Sequence, residues 1–574
     1  MMTKPLLIKN GFVYDPLNGI NGDKMSIAVK DGKIVEESSV NPTEAQVIDA
    51  ANRVVMPGGV DIHSHIAGPA INSGRRFRPE DGRIGNEPRT QTTRSGSGYT
   101  VPSTFVTGYR YARMGWTTVC DPATPPLLAR HAHEELNDTP IIDTMIFPLL
   151  GDNWVVMQYL KDKEYALCAA FIAWMLRATK GYAIKIVNPG GTEAWHWGDT
   201  VKDLQDPVPY FEITPAEIIH GLAVVNEMLR LPHSIHLHTN RLGLPGNFEI
   251  ATNSLDTPRD VKVESTKGRK QVLHMTHTQY SAYGGDSWGN FESKADAIAK
   301  YVNAHPHVTI DLGQIIMGEA TTMTADGALE FGLHKLNHLK WMNMDIELET
   351  GGGLVPFIYT RTNPVNSVQW TIGLELTLLI KNPFQVCLTT DHPNAGPFTR
   401  YPQIISWLMS RKARDEVAAK LHAETARRSI LATIDREYSL YEIAVITRAG
   451  QAVLLGLNDR KGHLGVNADA DIAIYDLDPK SEMTPEKIER AFSQAAYTIK
   501  DGEVVAKDGQ ILREVVGRRF WVNPQVDEDL EQKMLREVSK TFARYYSISM
   551  ANFPVQGGYL ARSNEMRIDA THVA

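Results

Sequence analysis

Short apolar segments alternate with longer helical segments through most of this chain, from about residue 58 to residue 450. The apolar segments have the length of strands buried on both faces, and a capping box of Thr214 and Glu217 starts one of the helical segments. This alternation is typical of βαβ units in a parallel sheet. Eight strands over about 390 residues favour a (β/α)8 TIM-like barrel with long loops over an open sheet, and hence the α/β class. The eight predicted strands are Gly59–His63, Thr117–Cys120, Ile141–Phe147, Tyr182–Val187, Ser234–His238, Val272–His277, Val308–Leu312 and Val386–Thr390.

The two ends of the chain have a different pattern, with short strands and tight turns. Residues 29–35 carry the phrase Lys-Asp-Gly-Lys between apolar residues, and residues 499–505 repeat it as Lys-Asp-Gly-Glu. Asn10-Gly11 and Asp31-Gly32 predict two-residue hairpin turns. We therefore predict a composite β-sandwich domain from residues 1–57 and 451–523, a metal-dependent barrel over residues 58–450, and a C-terminal helix and polar tail over residues 524–574.

The composition excludes several classes of function. Acidic residues outnumber basic ones by 67 to 59, for a net charge of −8, and no basic run is present, which argues against a nucleic-acid partner. The longest apolar stretch, Tyr165–Leu176, is too short to span a membrane, and the N-terminus has no signal-peptide pattern, so we expect a cytoplasmic location. Three scattered cysteines, Cys120, Cys168 and Cys387, are too few to hold an iron–sulfur cluster. We expect chemistry based on histidine and oxygen ligands.

Histidines fall at the carboxyl ends of several predicted strands, where a barrel places its active site. His63-Ser64-His65 closes the first strand, and residues two apart on an extended chain face the same side, so both imidazoles can bind one metal ion. His238 lies nearer the end of the fifth strand than His236, so we predict His238 as a ligand and place His236 behind the ligands. In the sixth strand we predict His277 as a ligand and expect His274 to face outward.

Lys185 interrupts the otherwise apolar fourth strand. A buried, unpaired ammonium group is energetically costly. One interpretation is that its long side chain reaches the strand end and pairs with an acid. The other is that burial lowers its pKa, so that the neutral amine reacts with CO2 and the resulting carbamate bridges two cations. The neighbouring histidines favour the second interpretation.

Asp391 follows the eighth strand. An aspartate there can be a turn cap, but opposite the histidines it is predicted both to bind metal and to transfer a proton, as the catalytic residue. His392 is either a substrate-facing group or part of a loop. Arg75 and Arg78, in the long loop after His65, either meet an acidic substrate or form surface ion pairs.

The order of these residues resembles that of the amidohydrolase superfamily of dinuclear-metal barrels. Its strand-one signature appears as Val-Met-Pro-Gly-Gly-Val-Asp-Ile-His-Ser-His over residues 55–65, and its return into the β domain over residues 461–472. The resemblance implies two zinc ions, held by His63, His65, carbamylated Lys185, His238, His277 and Asp391.

Residues 65–68, 102–112, 184–189 and 389–402 further resemble the A subunits of formylmethanofuran dehydrogenases of methanogenesis. That family implies condensation of formate with the amine of methanofuran, which is reversible formamide hydrolysis. It also implies partner subunits that carry a tungsten or molybdenum pterin and iron–sulfur clusters and reduce CO2 to formate.

Three other interpretations stay open. A formyl-hydrolase subunit of the formyltransferase/hydrolase complex of methylotrophic bacteria is similar at strand one, but is expected to lack insertions such as residues 189–197. A stand-alone cyclic-amide or N-acyl amino acid hydrolase would use the same metals without redox partners. A barrel that has lost catalysis and serves as a scaffold would hold no zinc.

Overall fold

The computed structural model of the protein describes residues 4–265, 267–344, 352–561 and 564–571. Its strands within these ranges are β1 Leu6–Asp15, β2 Ile20–Lys30, β3 Lys33–Val35, β4 Gln46–Asp49, β5 Val54–Pro57, β6 Gly59–Asp61, β7 Trp116–Thr124, β8 Asp143–Pro148, β9 Lys185–Val187, β10 Ile235–His238, β11 Leu273–Met275, β12 Tyr283–Gly284, β13 Glu292–Ser293, β14 Val308–Asp311, β15 Gly318–Thr324, β16 Met342–Asn343, β17 Gly353–Tyr359, β18 Val386–Cys387, β19 Ile472–Tyr475, β20 Tyr497–Lys500, β21 Glu503–Lys507, β22 Gln510–Ile511, β23 Arg518–Gln525 and β24 Asn564–Thr571.

The α-helices of the same ranges lie mostly between the strands of the central region. They are α1 Gly68–Phe77, α2 Thr104–Arg113, α3 Ala129–Asn137, α4 Trp154–Lys161, α5 Tyr165–Thr179, α6 Gly191–His196, α7 Pro215–Met228, α8 Phe248–Asp256, α9 Ala295–Ala304, α10 Gly327–Asn337, α11 Pro364–Leu379, α12 Tyr401–Met409, α13 Arg411–Ala418, α14 Thr425–Arg428, α15 Leu440–Ala444, α16 Gly450–Leu454, α17 Pro485–Ser493 and α18 Glu528–Tyr545. The capping box of Thr214 and Glu217 starts α7, which confirms the sequence prediction.

Strands from both ends of the chain lie in one sheet, in the order β22-β21-β20-β19-β5-β1-β2-β3, with β4 beside β1. The antiparallel pair of β5 and β19 joins the two ends. Asp31-Gly32 turns between β2 and β3 with both residues at positive φ, as predicted. The predicted turn at Asn10-Gly11 is wrong, because these residues lie within β1, where the register against β2 shifts as in a β-bulge.

The eight predicted strands of the central region are present as β6 to β11, β14 and β18, and the α/β class is confirmed. They pair in parallel within two sheets, one containing β6-β7-β8 and the other β9-β10-β11-β14-β18. Single parallel bridges between these two sheets join Leu149, which follows β8, to Lys185 of β9, and Ser64, which follows β6, to His392, which follows β18. Parallel pairing brings the carboxyl ends of the strands to one side, where the predicted ligands lie.

The C-terminal region contains more structure than the predicted helix and polar tail. Helix α18 is followed by β24, which pairs in parallel with all eight residues of β23, and β23 continues the sheet beyond β8. The side chains of Ile568 and Ala570 are buried, whereas Glu565, Arg567 and Asp569 are exposed. This alternation is that of an edge strand with one charged face.

The helices and central strands bury one large apolar core, and a smaller core lies within the nine-stranded sheet. Among the described residues, no helix combines the length and apolar character needed to cross a membrane.

Candidate metal centre

The six predicted metal ligands are buried, and five of them lie at or after the carboxyl ends of parallel strands, whereas Lys185 is the first residue of the short strand β9. Parallel βα units place strand ends together, so residues far apart in sequence become neighbours. In chain order, His63 and His65 follow β6, Lys185 begins β9, His238 ends β10, His277 follows β11 and Asp391 follows β18.

Asp391 lies at the centre of this cluster. Its Oδ1 is 2.9 Å from Nε2 of His63 and 3.3 Å from Nε2 of His65. The ring of His277 packs edge-on against those of His63 and His238, with centroid separations of 5.2 and 4.8 Å. The structure therefore brings together these four histidines and Asp391.

Lys185 reaches the cluster through Thr276. Its Nζ donates to Oγ1 of Thr276 at 3.4 Å, and the same oxygen lies 2.8 Å from Nε2 of His277. The Thr276 hydroxyl donates to the carbonyl oxygen of Leu237 at 3.3 Å. Because the hydroxyl has one proton, Nε2 of His277 must donate to Thr276, and Nδ1 of His277 is left with a lone pair.

Three buried atoms of the cluster have no hydrogen-bond partner among the described residues: Nε2 of His63, Nδ1 of His277 and Oδ1 of Asp391. The 2.9 Å contact between His63 and Asp391 lacks hydrogen-bond geometry. The candidate ligand atoms of these three residues lie within 4.8 Å of one another. Unpartnered buried polar atoms are costly, and imidazole nitrogen and carboxylate oxygen are typical zinc ligands. These residues therefore fit a bound metal ion.

Left-handed backbone conformations shape the ends of the strands around the cluster. Asn188 after β9, His277 after β11 and Asp391 after β18 have φ values of 44°, 35° and 46°. Such values are uncommon outside glycine and are best tolerated by Asn, Asp and His. Gly313 after β14 also has positive φ, and a Cβ atom there would lie 2.4 Å from Cβ of His277. Backbone strain of this kind is characteristic of functional sites.

Burial and charge set the protonation of the lysine and the aspartate. Burial lowers the pKa of Lys185 to about 7, although the carboxylates of Asp391 and Asp311 oppose this shift. A substantial fraction of neutral amine, which carbamylation requires, is therefore present near neutral pH. Burial alone would raise the pKa of Asp391, but His277 and His63 hold it well below its usual range. Asp391 is a carboxylate, as a metal ligand must be.

The expectation that His274 faces outward is wrong. Its Nδ1 lies 2.9 Å from Oγ1 of Thr309 and its Nε2 lies 3.2 Å from Oδ2 of Asp311. Its ring stacks on that of His236, with centroids 4.9 Å apart. The left-handed φ of His277 interrupts the alternation of the strand, so that His274 and His277 both reach the interior.

Asp311 is a residue of the site that the sequence patterns did not single out. It ends β14 and accepts hydrogen bonds from the backbone N–H of His277 at 2.8 Å and from Oγ1 of Thr389 at 2.7 Å. The sequence signal for it is its position two residues after Thr309, which puts two polar side chains on one face of an otherwise apolar strand.

The two predicted substrate-binding arginines are engaged by protein groups. Arg75 pairs with Glu135, and its Nε and Nη2 donate to the carbonyl oxygen of Pro102 at 3.0 and 2.7 Å. Arg78 is buried, and its Nη1 donates to the carbonyl oxygen of Ala320 at 2.5 Å. These contacts tie the loop after β6 to its surroundings, and a role in substrate binding stays a prediction.

His392 is buried beside the cluster. Its carbonyl oxygen accepts from the backbone N–H of His65 at 2.8 Å, and its ring packs edge-on against Phe398 at a centroid distance of 4.8 Å. Nε2 of His392 has no hydrogen-bond partner among the described residues. The backbone of His392 thus holds the strand ends that carry His65 and Asp391 together, while its role toward substrate stays a prediction.

Cavities of different size lie around the cluster. A cavity of about 70 Å³ is lined in part by His65, and another of about 60 Å³ is lined in part by Asp391. A larger cavity of about 180 Å³ is lined mostly by apolar and aromatic groups, and its polar residues include Asp326, whose Oδ2 lies 3.3 Å from Nε2 of His238. The residues lining that larger cavity include Asn188, Trp195, Arg241, Leu244, Trp288 and Leu336.

The sequence has relatives that match nearly all of it. The protein FwdA of Methanocaldococcus jannaschii is 56% identical over 569 residues, which are 99% of each chain. One component of the formyltransferase/hydrolase complex Fhc of Methylorubrum extorquens is 36% identical over 567 residues, covering 96% of this chain and 98% of that component.

A solved structure extends this comparison to the fold. A chain in the crystal structure of the Methylorubrum extorquens formyltransferase/hydrolase complex FhcABCD with methylofuran matches with a TM-score of 0.88 and 34% identity, covering 99% of this chain and 100% of that one. Residues 46–506 match the model of the amidohydrolase family. The chain therefore belongs to the amidohydrolase family as a metal-dependent, hydrolase-type enzyme subunit, and its resemblance to the A subunits of formylmethanofuran dehydrogenases is confirmed.

Proposed function

We propose that this chain makes and breaks a formamide bond, joining formate to the primary amine of methanofuran and hydrolysing formylmethanofuran in reverse. The observation that carries this proposal is the convergence of His63, His277 and Asp391, whose candidate ligand atoms lie within 4.8 Å of one another. Each of the three residues also has a buried polar atom without a hydrogen-bond partner among the described residues. Similarity to FwdA and to the Fhc chain from a complex with methylofuran supports a furan-linked amine as the substrate.

The proposal includes two zinc ions, held by the six residues predicted from the sequence, with Lys185 in its carbamylated form. When bound, such ions polarise a carbonyl oxygen and lower the pKa of a water molecule. The proposal also treats the eight parallel strands as a (β/α)8 barrel and the nine-stranded sheet as the composite β-sandwich domain, with the predicted boundaries.

Asp391 is the proposed proton-transfer group. In hydrolysis its carboxylate takes a proton from the attacking water and delivers a proton to the leaving amine. Its low pKa keeps the acceptor form present at neutral pH, and its Oδ1 lies among the histidines without a hydrogen-bond partner of its own in the described structure.

The sizes of the cavities around the cluster are consistent with a substrate in which a small acyl group is attached to a larger amine. Those next to His65 and Asp391, at about 70 and about 60 Å³, have room for only a few water-sized groups. The wider cavity beside Asp326, at about 180 Å³, includes the aromatic residues Trp195 and Trp288 and several leucines, which are suited to a furan ring, together with the polar residues Asn188 and Arg241.

Electron transfer is assigned to partner subunits in this proposal. The three cysteines of the chain are free and buried. Reduction of CO2 to formate at a tungsten or molybdenum pterin, fed by iron–sulfur clusters, would take place in those partners, and formate would reach this chain as a substrate.

The decisive variant is Asp391→Asn, assayed for hydrolysis of formylmethanofuran. We expect the rate to fall by about 10²–10⁴-fold, the usual contribution of a general acid or base, while part of the zinc is retained. Glu375→Gln is the matched control, because Glu375 is also buried but accepts hydrogen bonds from Ser429 and the backbone N–H of Ile430. Undiminished turnover by Asp391→Asn would overturn the role of Asp391.

A substrate panel and co-purification test the other functions. A stand-alone amidohydrolase would purify without redox subunits and hydrolyse cyclic amides or N-acyl amino acids in preference to formylmethanofuran. A formyl-hydrolase of a methylotroph-type complex would purify with formyltransferase subunits. A metal analysis without zinc would favour the scaffold.

A further inference from the structure

Three imidazole rings form a hydrogen-bonded series beneath the proposed metal site. Nδ1 of His63 lies 2.9 Å from Nε2 of His236, and Nδ1 of His236 lies 3.0 Å from Nε2 of His233. Nδ1 of His233 lies 2.7 Å from the backbone carbonyl oxygen of Leu454. All three rings are fully buried, so water does not replace any of these contacts.

The carbonyl of Leu454 determines the direction of this series. A carbonyl oxygen can only accept, so Nδ1 of His233 carries a hydrogen. A doubly protonated His233 would be a buried cation with no carboxylate partner among the described residues, which is costly, so Nε2 of His233 has a lone pair. His236 must then donate through Nδ1 and accept through Nε2.

The protonation of His63 follows from that of His236. Because Nε2 of His236 accepts, Nδ1 of His63 must carry a hydrogen. Oδ2 of Asp311, 3.5 Å from this nitrogen, is also an acceptor and agrees with that assignment. The nitrogen of His63 that has no such partner is Nε2, which faces Asp391.

We infer that His236 and His233 are positioning residues, which fix the protonation of His63 so that Nε2 is the nitrogen available to a metal ion. The inference rests on the metal site of the proposed function. Besides His63, His277 and Asp391, a second group of residues has potential metal-ligand atoms close together, namely His63, His236 and Asp311. The inference assigns this second group to hydrogen bonding and not to metal binding. The facing nitrogens of His63 and His236 there bind each other through one hydrogen.

Zinc affinity of the full chain, measured by competition with a chelating dye, tests this inference. We expect His236→Phe and His233→Phe to weaken zinc binding by about 10–100-fold, the usual effect of removing an outer partner of a metal-binding histidine. His233→Gln keeps an acceptor for His236 and a donor for Leu454, and we expect it to stay within about threefold of the unaltered protein. His133→Phe is the matched control, because His133 is equally buried and its Nε2 lies 2.9 Å from the carbonyl oxygen of Thr179.

A second readout does not depend on any variant folding. In zinc-free protein with labelled histidine, nitrogen NMR should show a hydrogen on Nδ1 of His63 and of His236 and none on Nε2 of His236. Zinc affinity unchanged in both phenylalanine variants, or a His63 without hydrogen on Nδ1, would overturn the inference. Neither readout uses a formamide, so absence of formamide hydrolysis would defeat the proposed function and leave this result standing.

Discussion

Lys185 and Lys461 are both buried, yet their surroundings are opposite. Nζ of Lys461 pairs with Asp143, with Asp471 at 2.6 Å and with Asp469 at 3.2 Å. Burial alone would lower the pKa of Lys461, but the carboxylates of Asp143 and Asp471 raise it above the usual range. Lys185 donates instead to the neutral hydroxyl of Thr276, and burial lowers its pKa to about 7.

The difference separates a cluster that holds the fold from one that can bind a ligand. Lys461 connects residues of the central strands with residues that follow them in the chain, because Asp143 begins β8 and Asp471 precedes β19. Both oxygens of Asp143 and of Asp471 have cationic partners, supplied by Lys461 and Lys500. At the strand ends, in contrast, polar atoms are buried without partners among the described residues. A saturated ionic cluster stabilises the fold, whereas the unsaturated one is suited to bind cations.

The largest effect on stability is expected for Lys461→Met. The substitution leaves Oδ2 of Asp143 and of Asp471 without the nearest cationic partner, and removing one partner of a buried ion pair costs about 3–5 kcal/mol. Denaturant unfolding of the zinc-free protein measures this loss. Lys33→Met is the matched control, because Lys33 pairs with Asp469 at 2.6 Å but its side chain is 41% exposed, and about 0–1 kcal/mol is expected. Equal losses of unfolding free energy in the two variants would contradict the contrast between the buried ion pairs of Lys461 and the exposed ion pair of Lys33.

Lys185→Met is expected to act in the opposite way on the metal-free fold. The folded state releases a proton near pH 7 that the unfolded chain keeps up to its ordinary pKa of 10.5, so wild-type stability rises with pH across this window. Below about pH 7 the protonated Lys185 opposes folding, and Lys185→Met should be as stable as the wild type or more stable there. Melting curves on either side of pH 7 test this, and a loss as large as that of Lys461→Met would contradict it.

The low pKa of Lys185 also predicts its modification by CO2. The neutral amine is the reactive form, so the carbamate signal from labelled CO2 should increase as the pH rises from about 6 to about 8. NMR of the carbamate carbon measures it, and zinc uptake should increase in parallel. Lys185→Met should show neither change. A carbamate signal that persists in this variant would place the modification elsewhere.

Spacing and residue type are enough to predict most of the residues that the structure brings together at the strand ends. A histidine two residues from another on a strand, and a lysine in an apolar strand, are local features that can be recognised in the sequence itself. The pairing of these groups is decided at long range. The partner of His63 is His236, 173 residues later, and the last acceptor of the series is the carbonyl of Leu454, which no sequence pattern marks.

Backbone conformation explains the errors. The prediction that His274 faces outward extends the strand alternation as far as His277, but His277 has a left-handed φ that no glycine marks in the sequence. The sequence of β24 resembles a polar tail because charged residues alternate with its few apolar ones. This alternation forms a strand only because β23 lies beside it. The Asn10-Gly11 pair has the same local preference for positive φ in a turn and in a bulge, and the neighbouring strands determine which forms.

The smallest effect is expected at Arg75, whose donors, like those of Lys461, have protein partners in the folded chain. Its partner Glu135 also accepts from the backbone N–H of Gly68 at 2.9 Å, from Nδ2 of Asn72 at 2.8 Å and from Oγ1 of Thr104 at 3.1 Å. Arg75→Ala should therefore lower the free energy of unfolding by only about 1 kcal/mol and leave kcat/KM for formylmethanofuran unchanged. A fall in kcat/KM of tenfold or more with unchanged stability would instead assign Arg75 to substrate binding. Arg75 would then be a functional cation, like Lys185, although its hydrogen bonds are satisfied within the protein. Saturation of hydrogen bonds in the free protein would no longer distinguish structural cations from functional ones.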